Sequence, residues 1–277
     1  MAKVAVIGMV GNSAFLSVDK FNQPGETVVA KNVHFEPGGK GYNQAVAAGR
    51  YGVKASFLGA VGSAFYEEIR DFLLKDGITP VLPRKDGATA YAVILTDAQG
   101  QNQVTVYQGV SLEETDVLAY ESEIAEADIL LLNNEVPAEV NLLAAKLAQK
   151  HGTRVILNPA PARVLDPELK ELVWLFTPNE HEALAVEDCA NLLITLGGDG
   201  CLLKERNLKI PASKVEKVVD TTGAGDTFNG VLAAELAMGA EPEKAARMAV
   251  LAAGISVTKT YAATAIPYGW EILREEM

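Results

Sequence analysis

The residues best suited to do chemistry lie in one short stretch, Asp220–Asp226, with the sequence DTTGAGD. A β-prone run, Val215–Val219, precedes it, and an apolar run with helical character, Val231–Met238, follows it. We therefore predict a strand, a tight glycine turn and the start of a helix. Gly223 and Gly225 permit backbone angles that a Cβ resists, and they let the backbone approach a ligand closely. Because the first N–H groups of a helix are unpaired and carry positive partial charge, the turn predicts an anion site.

Asp226 places a carboxylate beside that anion site. A carboxylate there can take a proton from a hydroxyl group, so one turn supplies both a general base and a cradle for negative charge. This combination suits the attack of an alcohol on a phosphoryl group. The alternative is that Asp226 only caps the helix while the glycines turn the chain. The two threonines and Asp220 favour the catalytic interpretation.

A second glycine-rich segment, Gly38–Ala45, precedes a helix that we predict over about Asn43–Tyr51. Its small and polar residues again offer unpaired N–H donors and close approach to a ligand. The segment is not a Walker A loop, because that motif requires Ser or Thr after Gly-Lys, whereas Lys40 is followed by Gly41. The alternative is a plain glycine-rich start of a helix.

Asn179 and Glu182 lie three residues apart at a predicted helix start. At this spacing two side chains face the same side of a helix. The bare spacing favours a capping arrangement, although the pair also offers oxygen ligands beside a turn.

The elements that must position these residues alternate between β and α along most of the chain, which predicts a parallel sheet covered on both faces. Strands are predicted at Lys3–Ile7, Ala55–Leu58, Ile129–Leu132, Arg154–Leu157, Trp174–Phe176 and Leu192–Thr195. Further helices are predicted at Phe65–Leu74, Ala138–Lys150, Pro242 to about Thr258, and from Tyr268 onward. A small second sheet is predicted from the β-prone pieces Glu26–Val29, Asn32–Phe35, Tyr91–Thr96 and Gln103–Tyr107.

Composition argues against several classes of partner. The chain has 277 residues and a formal net charge of −12, whereas nucleic-acid binding requires a basic face, so we expect no nucleic-acid partner. No stretch approaches the ~20 apolar residues of a membrane span, and we expect no membrane partner. The two cysteines, Cys189 and Cys201, form no C-x-x-C pattern. Isolated thiols fit a reducing compartment, and we predict a cytoplasmic protein.

The motifs at 220–230 and 38–45 closely resemble the C-terminal and N-terminal signatures of the PfkB, or ribokinase-like, carbohydrate kinase family. The similarity runs from Val4 to Pro267 and is strongest to the ribokinase branch. It implies an α/β fold: a three-layer α/β/α sandwich with a mainly parallel central sheet and a small β-sheet lid. It also implies one domain over residues 1–277, with lid strands inserted at about 12–37 and 88–109. The implied activity is ATP-dependent phosphorylation of a hydroxymethyl group on a sugar or sugar-like substrate.

The resemblance also assigns roles to individual residues. Asp226 would be the general base, and Gly223, Ala224 and Gly225 would form the anion hole. The residues expected to hold the sugar are Gly39, Lys40, Asn43, Glu135 and Asp226. Those expected along the nucleotide are Asn179, Thr195, Gly197, Gly200 and Gly225. Glu182 would act through water on Mg²⁺, Asp220 and Thr222 would hold a monovalent cation, usually potassium, and the lid would form a homodimer contact.

The sequence departs from the family pattern at four places. Ribokinases carry an Asn and an Asp after the first strand that hold ribose hydroxyls; here those positions are Gly11 and Ser13, with Asn12 between them. Tyr42 replaces a small residue, and these first two differences argue against ribose as the substrate. The chain is shortened between Ala185 and Asn191, on the expected nucleotide side.

The fourth departure lies in the expected cation loop, where Tyr261 and Ala265 replace a glycine and a hydroxyl residue. A weaker potassium effect is therefore expected. A sugar- or nucleotide-binding protein without turnover, on the same fold, is the alternative function. The intact Gly-Ala-Gly-Asp turn favours the kinase, because a pure binding protein does not require it.

Overall fold

The computed structural model describes residues 1–276 and consists of thirteen β-strands and nine α-helices within that range. The strands are β1 Lys3–Ile7, β2 Gly11–Ser17, β3 Asn32–Gly38, β4 Lys54–Leu58, β5 Thr79–Val81, β6 Ala90–Thr96, β7 Asn102–Tyr107, β8 Ile129–Asn133, β9 Arg154–Asn158, β10 Leu175–Phe176, β11 Leu193–Thr195, β12 Cys201–Leu203 and β13 Leu208–Ile210. The helices are α1 Lys40–Tyr51, α2 Tyr66–Lys75, α3 Glu114–Ala119, α4 Glu121–Glu126, α5 Ala138–His151, α6 Pro167–Leu172, α7 Ala224–Ala237, α8 Pro242–Ser256 and α9 Gly269–Glu276.

The central sheet has six parallel strands in the order β10-β9-β8-β1-β4-β5. Its strands are apolar on both faces, as expected of a sheet covered by helices on both sides. In β1, Val4 and Val6 face a core formed with α1, α2, α7, α8 and α9. Ala5 and Ile7 face the opposite core, formed with α3 to α6. The predicted three-layer sandwich is therefore confirmed.

The sheet order reverses direction at β1, because β4 and β5 lie on one side of it and β8 to β10 on the other. Ligands of open α/β sheets bind in the crevice at the carboxyl ends of the strands where the order reverses. A close contact brings α1 to this crevice: a Cβ on Gly8 would lie 2.6 Å from the Cα of Gly41. The end of β1 and the first turn of α1 therefore touch through their backbones.

A second sheet, which we call the lid sheet, consists of β2, β3, β6 and β7 in the order β3-β2-β6-β7. The predicted strand at Glu26–Val29 is wrong; the strand that pairs with β3 is β2. β propensity alone does not form a strand without a neighbour to pair with, and Val29 remains 83% exposed. β2 is extended because it pairs with β3 on one side and with β6 on the other.

Three further differences concern local structure. The predicted strand Val215–Val219 is irregular, and its contact with the rest of the chain includes a bond from the Val219 N–H to the Val257 carbonyl. α1 begins at Lys40, three residues earlier than predicted, because Gly39 adopts φ 116° and its carbonyl accepts from the Asn43 N–H. The helices α3, α4 and α6 were not predicted. No helix within residues 1–276 has the length and apolarity needed to cross a membrane.

Gly230 sets the distance between α7 and α1. A Cβ at this position would lie 2.4 Å from the carbonyl oxygen of Gln44 and 2.5 Å from the Cβ of Ala47. The missing side chain lets the two helices pack backbone to backbone, and this contact brings the start of α7 to the start of α1.

We expect Gly230→Ala to lower the free energy of unfolding by about 1–3 kcal/mol, the usual cost of overpacking a core. In an isolated helix, alanine is more stable than glycine by ~1 kcal/mol. The sign of the change in unfolding free energy therefore distinguishes overpacking, which destabilises the fold, from helix propensity, which stabilises it. Urea denaturation measures it. Gly198→Ala is the control, because no atom lies within 4 Å of the added Cβ. A Gly230→Ala protein as stable as the parent would contradict this account of the packing.

Candidate active site

Asp226 lies at the third position of α7, where it is buried against the first turn of α1. The side-chain amide of Asn43 donates to its Oδ2 at 3.0 Å, and that of Gln44 donates to its Oδ1 at 3.3 Å. The two glycine-rich motifs therefore meet at one carboxylate, although Asn43 and Asp226 are 183 residues apart in the chain. Both carboxylate oxygens are oriented by amides from a rigid helix.

The charges at this site influence one another. Burial raises the pKa of Asp226, while Lys40 and the amides of Asn43 and Gln44 act in the opposite direction. Asp226 in turn raises the pKa of Lys40, with smaller contributions from Glu135 and Glu182. A buried carboxylate whose pKa is shifted upward is a stronger proton acceptor than an ordinary exposed one.

Glu135 forms the other side of the predicted sugar site. It lies in the loop after β8, and its Oε2 accepts from the backbone N–H of Lys40 at 2.7 Å. Burial raises the pKa of Glu135 to about 7, and Asp226 adds to the rise while Lys40 opposes it. Position 39, next to Lys40, requires glycine. Its φ is 116°, and a Cβ there would lie 2.5 Å from the carbonyl oxygen of Met9. All five predicted sugar-site residues therefore lie at the carboxyl end of the central sheet.

A cleft of about 760 Å³ runs from this site along the start of α7. Sites for small ligands commonly enclose ~300–1,000 Å³. The predicted site residues that line it are Lys40, Asn179, Glu182, Thr195, Gly197, Gly200, Gly223, Ala224, Gly225 and Asp226. It is also lined by the apolar side chains of Val218, Val250 and Val257, which the sequence did not indicate as site residues. The cleft thus combines glycine backbone with apolar side chains.

The predicted anion hole is the first turn of α7. Gly223 has φ 76°, a left-handed conformation that favours glycine, and precedes the first helical residue, Ala224. A Cβ on Gly225 would meet no atom within 4 Å, so that this position is open to the cleft. Asn229 fixes the turn from inside the helix, because its side-chain amide donates to the Gly225 carbonyl at 2.8 Å. The turn therefore presents helix-N-terminal amides from a fixed backbone, although the Ala224 N–H also donates to the Thr221 carbonyl at 3.2 Å.

Asn179 and Glu182 form the capping arrangement that their spacing favoured. The Asn179 side chain accepts from the N–H groups of His181 and Glu182, and the Glu182 carboxylate accepts from the Asn179 N–H, each at 2.9 Å. The helix that follows is only a 3₁₀ turn, Glu182–Val186. Both side chains nevertheless line the cleft. Within residues 1–276, no three His, Cys, Asp or Glu side chains cluster in a way that could hold a metal ion.

The two residues predicted to hold a monovalent cation are engaged with the protein. Asp220 Oδ1 accepts from the N–H and the hydroxyl of Thr222, at 2.9 and 2.7 Å. Its Oδ2 accepts from the Tyr261 N–H at 3.1 Å. Within the part of the chain that the structure describes, Thr221 lines the cleft, whereas its neighbours Asp220 and Thr222 do not. Asp220 and Thr222 therefore fix the segment that precedes α7.

The departures near the sugar site have a structural explanation. A Cβ on Gly11 would lie 2.3 Å from the carbonyl oxygen of Ala90, because β2 and β6 pass too closely for a side chain there. Asn12 alternates to the other face of β2, where its amide lies 3.5 Å from both carboxylate oxygens of Glu68. The Asn12 side chain therefore cannot replace a side chain at position 11 or 13, because these positions lie on the opposite face of β2. Tyr42 is buried in the core beside Phe57 and does not line the cleft.

Three polar residues of the site were not identified from the sequence. Gln44 holds Asp226, Asn158 at the end of β9 accepts from Gln44 at 3.3 Å, and Asn229 holds the Gly225 carbonyl. Gln44 and Asn229 lie within the motifs at 38–45 and 220–230, and Asn158 directly follows a predicted strand. An amide immediately after a buried apolar strand was the signal available for Asn158.

Comparison with known proteins supports the family resemblance inferred from the sequence. The chain matches the family model described as pfkB family carbohydrate kinase over residues 1–268. It is 37% identical to a ribokinase of Bacillus subtilis over 278 residues, which cover 93% of each chain. Its structure is similar to that of a ribokinase from Thermotoga maritima, with TM-score 0.89 and 35% identity over 99% of both chains. It is also similar to Arabidopsis thaliana ribokinase complexed with ribose and ATP, with TM-score 0.86 and 26% identity over 99% of this chain and 98% of that one.

The family model spans nearly the whole chain, and the Bacillus subtilis ribokinase matches it over 93% of its own length. The resemblance inferred from the two glycine-rich motifs is confirmed. This chain belongs to the pfkB family of carbohydrate kinases.

Proposed function

We propose that this protein transfers a phosphoryl group from ATP to a hydroxymethyl group of a sugar or sugar-like molecule. The observation that carries the proposal is the Asp226 carboxylate, which two amides of α1 hold at the start of α7, where it lines the cleft together with Lys40. The relative from Arabidopsis thaliana was solved with ribose and ATP on the same fold. That complex supports a sugar and ATP as the reactants of this chain.

The residues of the cleft fit a nucleotide. Its size is sufficient, and Gly225 leaves the N-terminus of α7 open to phosphate oxygens. ATP would lie along Asn179, Thr195, Gly197, Gly200 and Gly225. When bound with Mg²⁺, it supplies the transferable phosphoryl group and the cation that neutralises part of its charge. Glu182 would hold that Mg²⁺ through water, since Mg²⁺ commonly takes one carboxylate together with phosphates and waters.

The chain's own residues would then perform the following steps. Gly39, Lys40, Asn43 and Glu135 hold the sugar with its hydroxymethyl group beside Asp226. Asp226 accepts the hydroxyl proton as the oxygen attacks, and its upward-shifted pKa favours that transfer. The amides of Gly223, Ala224 and Gly225 stabilise the negative charge that develops on the phosphoryl oxygens. Lys40 adds a positive charge between the two carboxylates.

The alternative of a non-catalytic binding protein is less well supported. Such a protein needs a cleft, but it does not need a buried carboxylate oriented by two amides at an open helix N-terminus. Asn43 and Gln44 hold Asp226 in that arrangement. The relatives named above are all ribokinases.

Two further proposals concern assembly and location. We propose that the protein is a homodimer through the lid sheet, which would also close the sugar site. In support, the lid sheet exposes Val33 and Phe35 on one face and Val104 and Val106 on the other. We also propose a cytoplasmic location, because Cys189 and Cys201 are free thiols, which suit a reducing compartment.

Asp226→Asn tests the catalytic base. We expect kcat on the best sugar to fall by ~10²–10⁴, the usual contribution of a general base, while ATP binding and thermal stability change little. ADP release measures kcat, and calorimetry measures ATP affinity. Asp188→Asn is the matched control, because this carboxylate is exposed and pairs only with Lys170 and its own neighbour Cys189 in the described contacts. Near-parental turnover in Asp226→Asn would remove Asp226 from the mechanism.

A panel of pentoses, hexoses and nucleosides tests the sugar site. We expect D-ribose to be used less well than another sugar or polyol, because Gly11 cannot carry a hydrogen-bonding side chain and Ser13 is short. A buried hydroxyl left without its partner costs ~1–3 kcal/mol, or roughly 5- to 150-fold in kcat/KM. Since the relatives are named ribokinases, ribose is the first sugar to measure. A micromolar KM for ribose with the fastest turnover of the panel would refute this expectation.

Potassium is expected to raise kcat, but less than in a relative with the full set of cation ligands. A cation at Asp220 and Thr222 would fix the turn that carries the anion hole, yet Ala265 offers no hydroxyl and Asp220 already accepts from Tyr261. The test compares kcat in potassium and in tetramethylammonium buffers of equal ionic strength, with Asp220→Asn as control. Equal rates for the unmutated protein would exclude a cation site and leave the kinase proposal intact.

A further inference from the structure

Glu36 is a buried carboxylate that the mechanism above does not use. It lies in β3, two residues before Gly38, and is 2% exposed. Its Oε1 accepts from the N–H groups of Ala262 and Ala263, at 2.8 and 3.0 Å. Its Oε2 accepts from the N–H and the hydroxyl of Thr264, at 2.9 and 2.6 Å. One side chain of the lid sheet thus holds three consecutive amides of a loop near the C-terminus.

That loop is otherwise held in a strained conformation. Tyr261 has φ 72°, unusual for a residue other than glycine. Its ring stacks on His34 with centroids 3.9 Å apart, and the edge of Phe15 packs against it at 5.3 Å. The His34 Nε2 also lies 3.3 Å from Glu36 Oε2. The contacts of the loop with the lid sheet therefore centre on Glu36 and its neighbours.

The same loop contacts the anion-hole turn. The Tyr261 N–H donates to Asp220, whose other oxygen accepts from Thr222. A Cβ on Gly223 would lie 3.3 Å from both the Cα and the Cβ of Ala262. Ala262 therefore packs on the first residue of the turn while its N–H is held by Glu36.

We propose that Glu36 is a positioning residue for phosphoryl transfer, an inference that rests on the proposed function. By holding the amides of Ala262–Thr264, Glu36 fixes the surface on which Gly223 rests, and so sets the position of the anion-hole amides. Because it also lies two residues before the sugar-binding segment that begins at Gly38, it connects the lid side of the sugar site to the phosphate side. Hydrogen bonds to a buried charged acceptor are roughly twice as strong as neutral ones, which suits this purpose.

Glu36→Gln tests the inference, because it keeps the size of the side chain but replaces one acceptor oxygen by a donor. We expect faster hydrogen exchange in the peptide that covers 261–265 and also in the one that covers 220–228. Since loss of a whole oxyanion-hole donor costs ~10²–10³, displaced donors should lower kcat by about 10-fold, with KM for ATP and sugar changed by less than about twofold.

The controls separate positioning from general stability. Tyr120→Phe removes a buried hydrogen bond to Ser56, 2.6 Å long, on the opposite layer of the fold. It should lower stability without changing kcat or the exchange of 220–228. Thr264→Val removes only the hydroxyl bond to Glu36. It should lower kcat and speed the exchange of 220–228 in the same direction as Glu36→Gln, but by less. This variant also tests the inference if Glu36→Gln does not fold.

Faster exchange confined to 261–265, or an unchanged kcat in Glu36→Gln, would overturn the positioning role. The exchange measurement does not depend on turnover. A lack of ADP release by the unmutated protein with every sugar would instead overturn the proposed function on which the inference rests.

Discussion

The site depends on one helix–helix contact. α7 carries the carboxylate and the anion hole, α1 carries the amides that hold the carboxylate, and neither helix forms the site alone. Their backbones can approach only because residue 230 has no side chain. With that approach, Asn43 and Gln44 reach Asp226 and satisfy both of its oxygens. The packing of two apolar helices on one face of the sheet therefore determines where the Asp226 carboxylate lies.

The second constraint is the burial of charge. Asp226, Glu135 and Lys40 lie together in a region of low exposure, where unpaired charges are costly. Lys40 lowers that cost for both carboxylates, and their joint field holds Lys40 in its charged form. Lys40 stabilises the charge on each carboxylate, whereas the two carboxylates repel one another, because Asp226 raises the pKa of Glu135. Removal of any one of them changes the protonation of the other two.

Much of the fold followed from the sequence, because buried parallel strands are continuous apolar runs and β1, β8 and β9 have that form. The central motifs were equally readable, since their glycines stand directly before helices, where backbone amides are unpaired. The lid sheet was only partly predicted: β2 contains three small residues and a glycine, and it is a strand only because β3 and β6 flank it. Gln44, Asn158 and Glu36 escaped notice because their partners lie more than a hundred residues away in the chain.

The close passage of β2 and β6 at Gly11 has a consequence for how this enzyme can change. The obstacle to a side chain at position 11 is the backbone of Ala90 as well as its methyl group. A single substitution at either position cannot open the space, because the carbonyl carbon and oxygen of Ala90 would still be in the way. A hydrogen-bonding side chain at position 11 therefore requires wider strand spacing, and mutational drift toward one must first separate two paired strands.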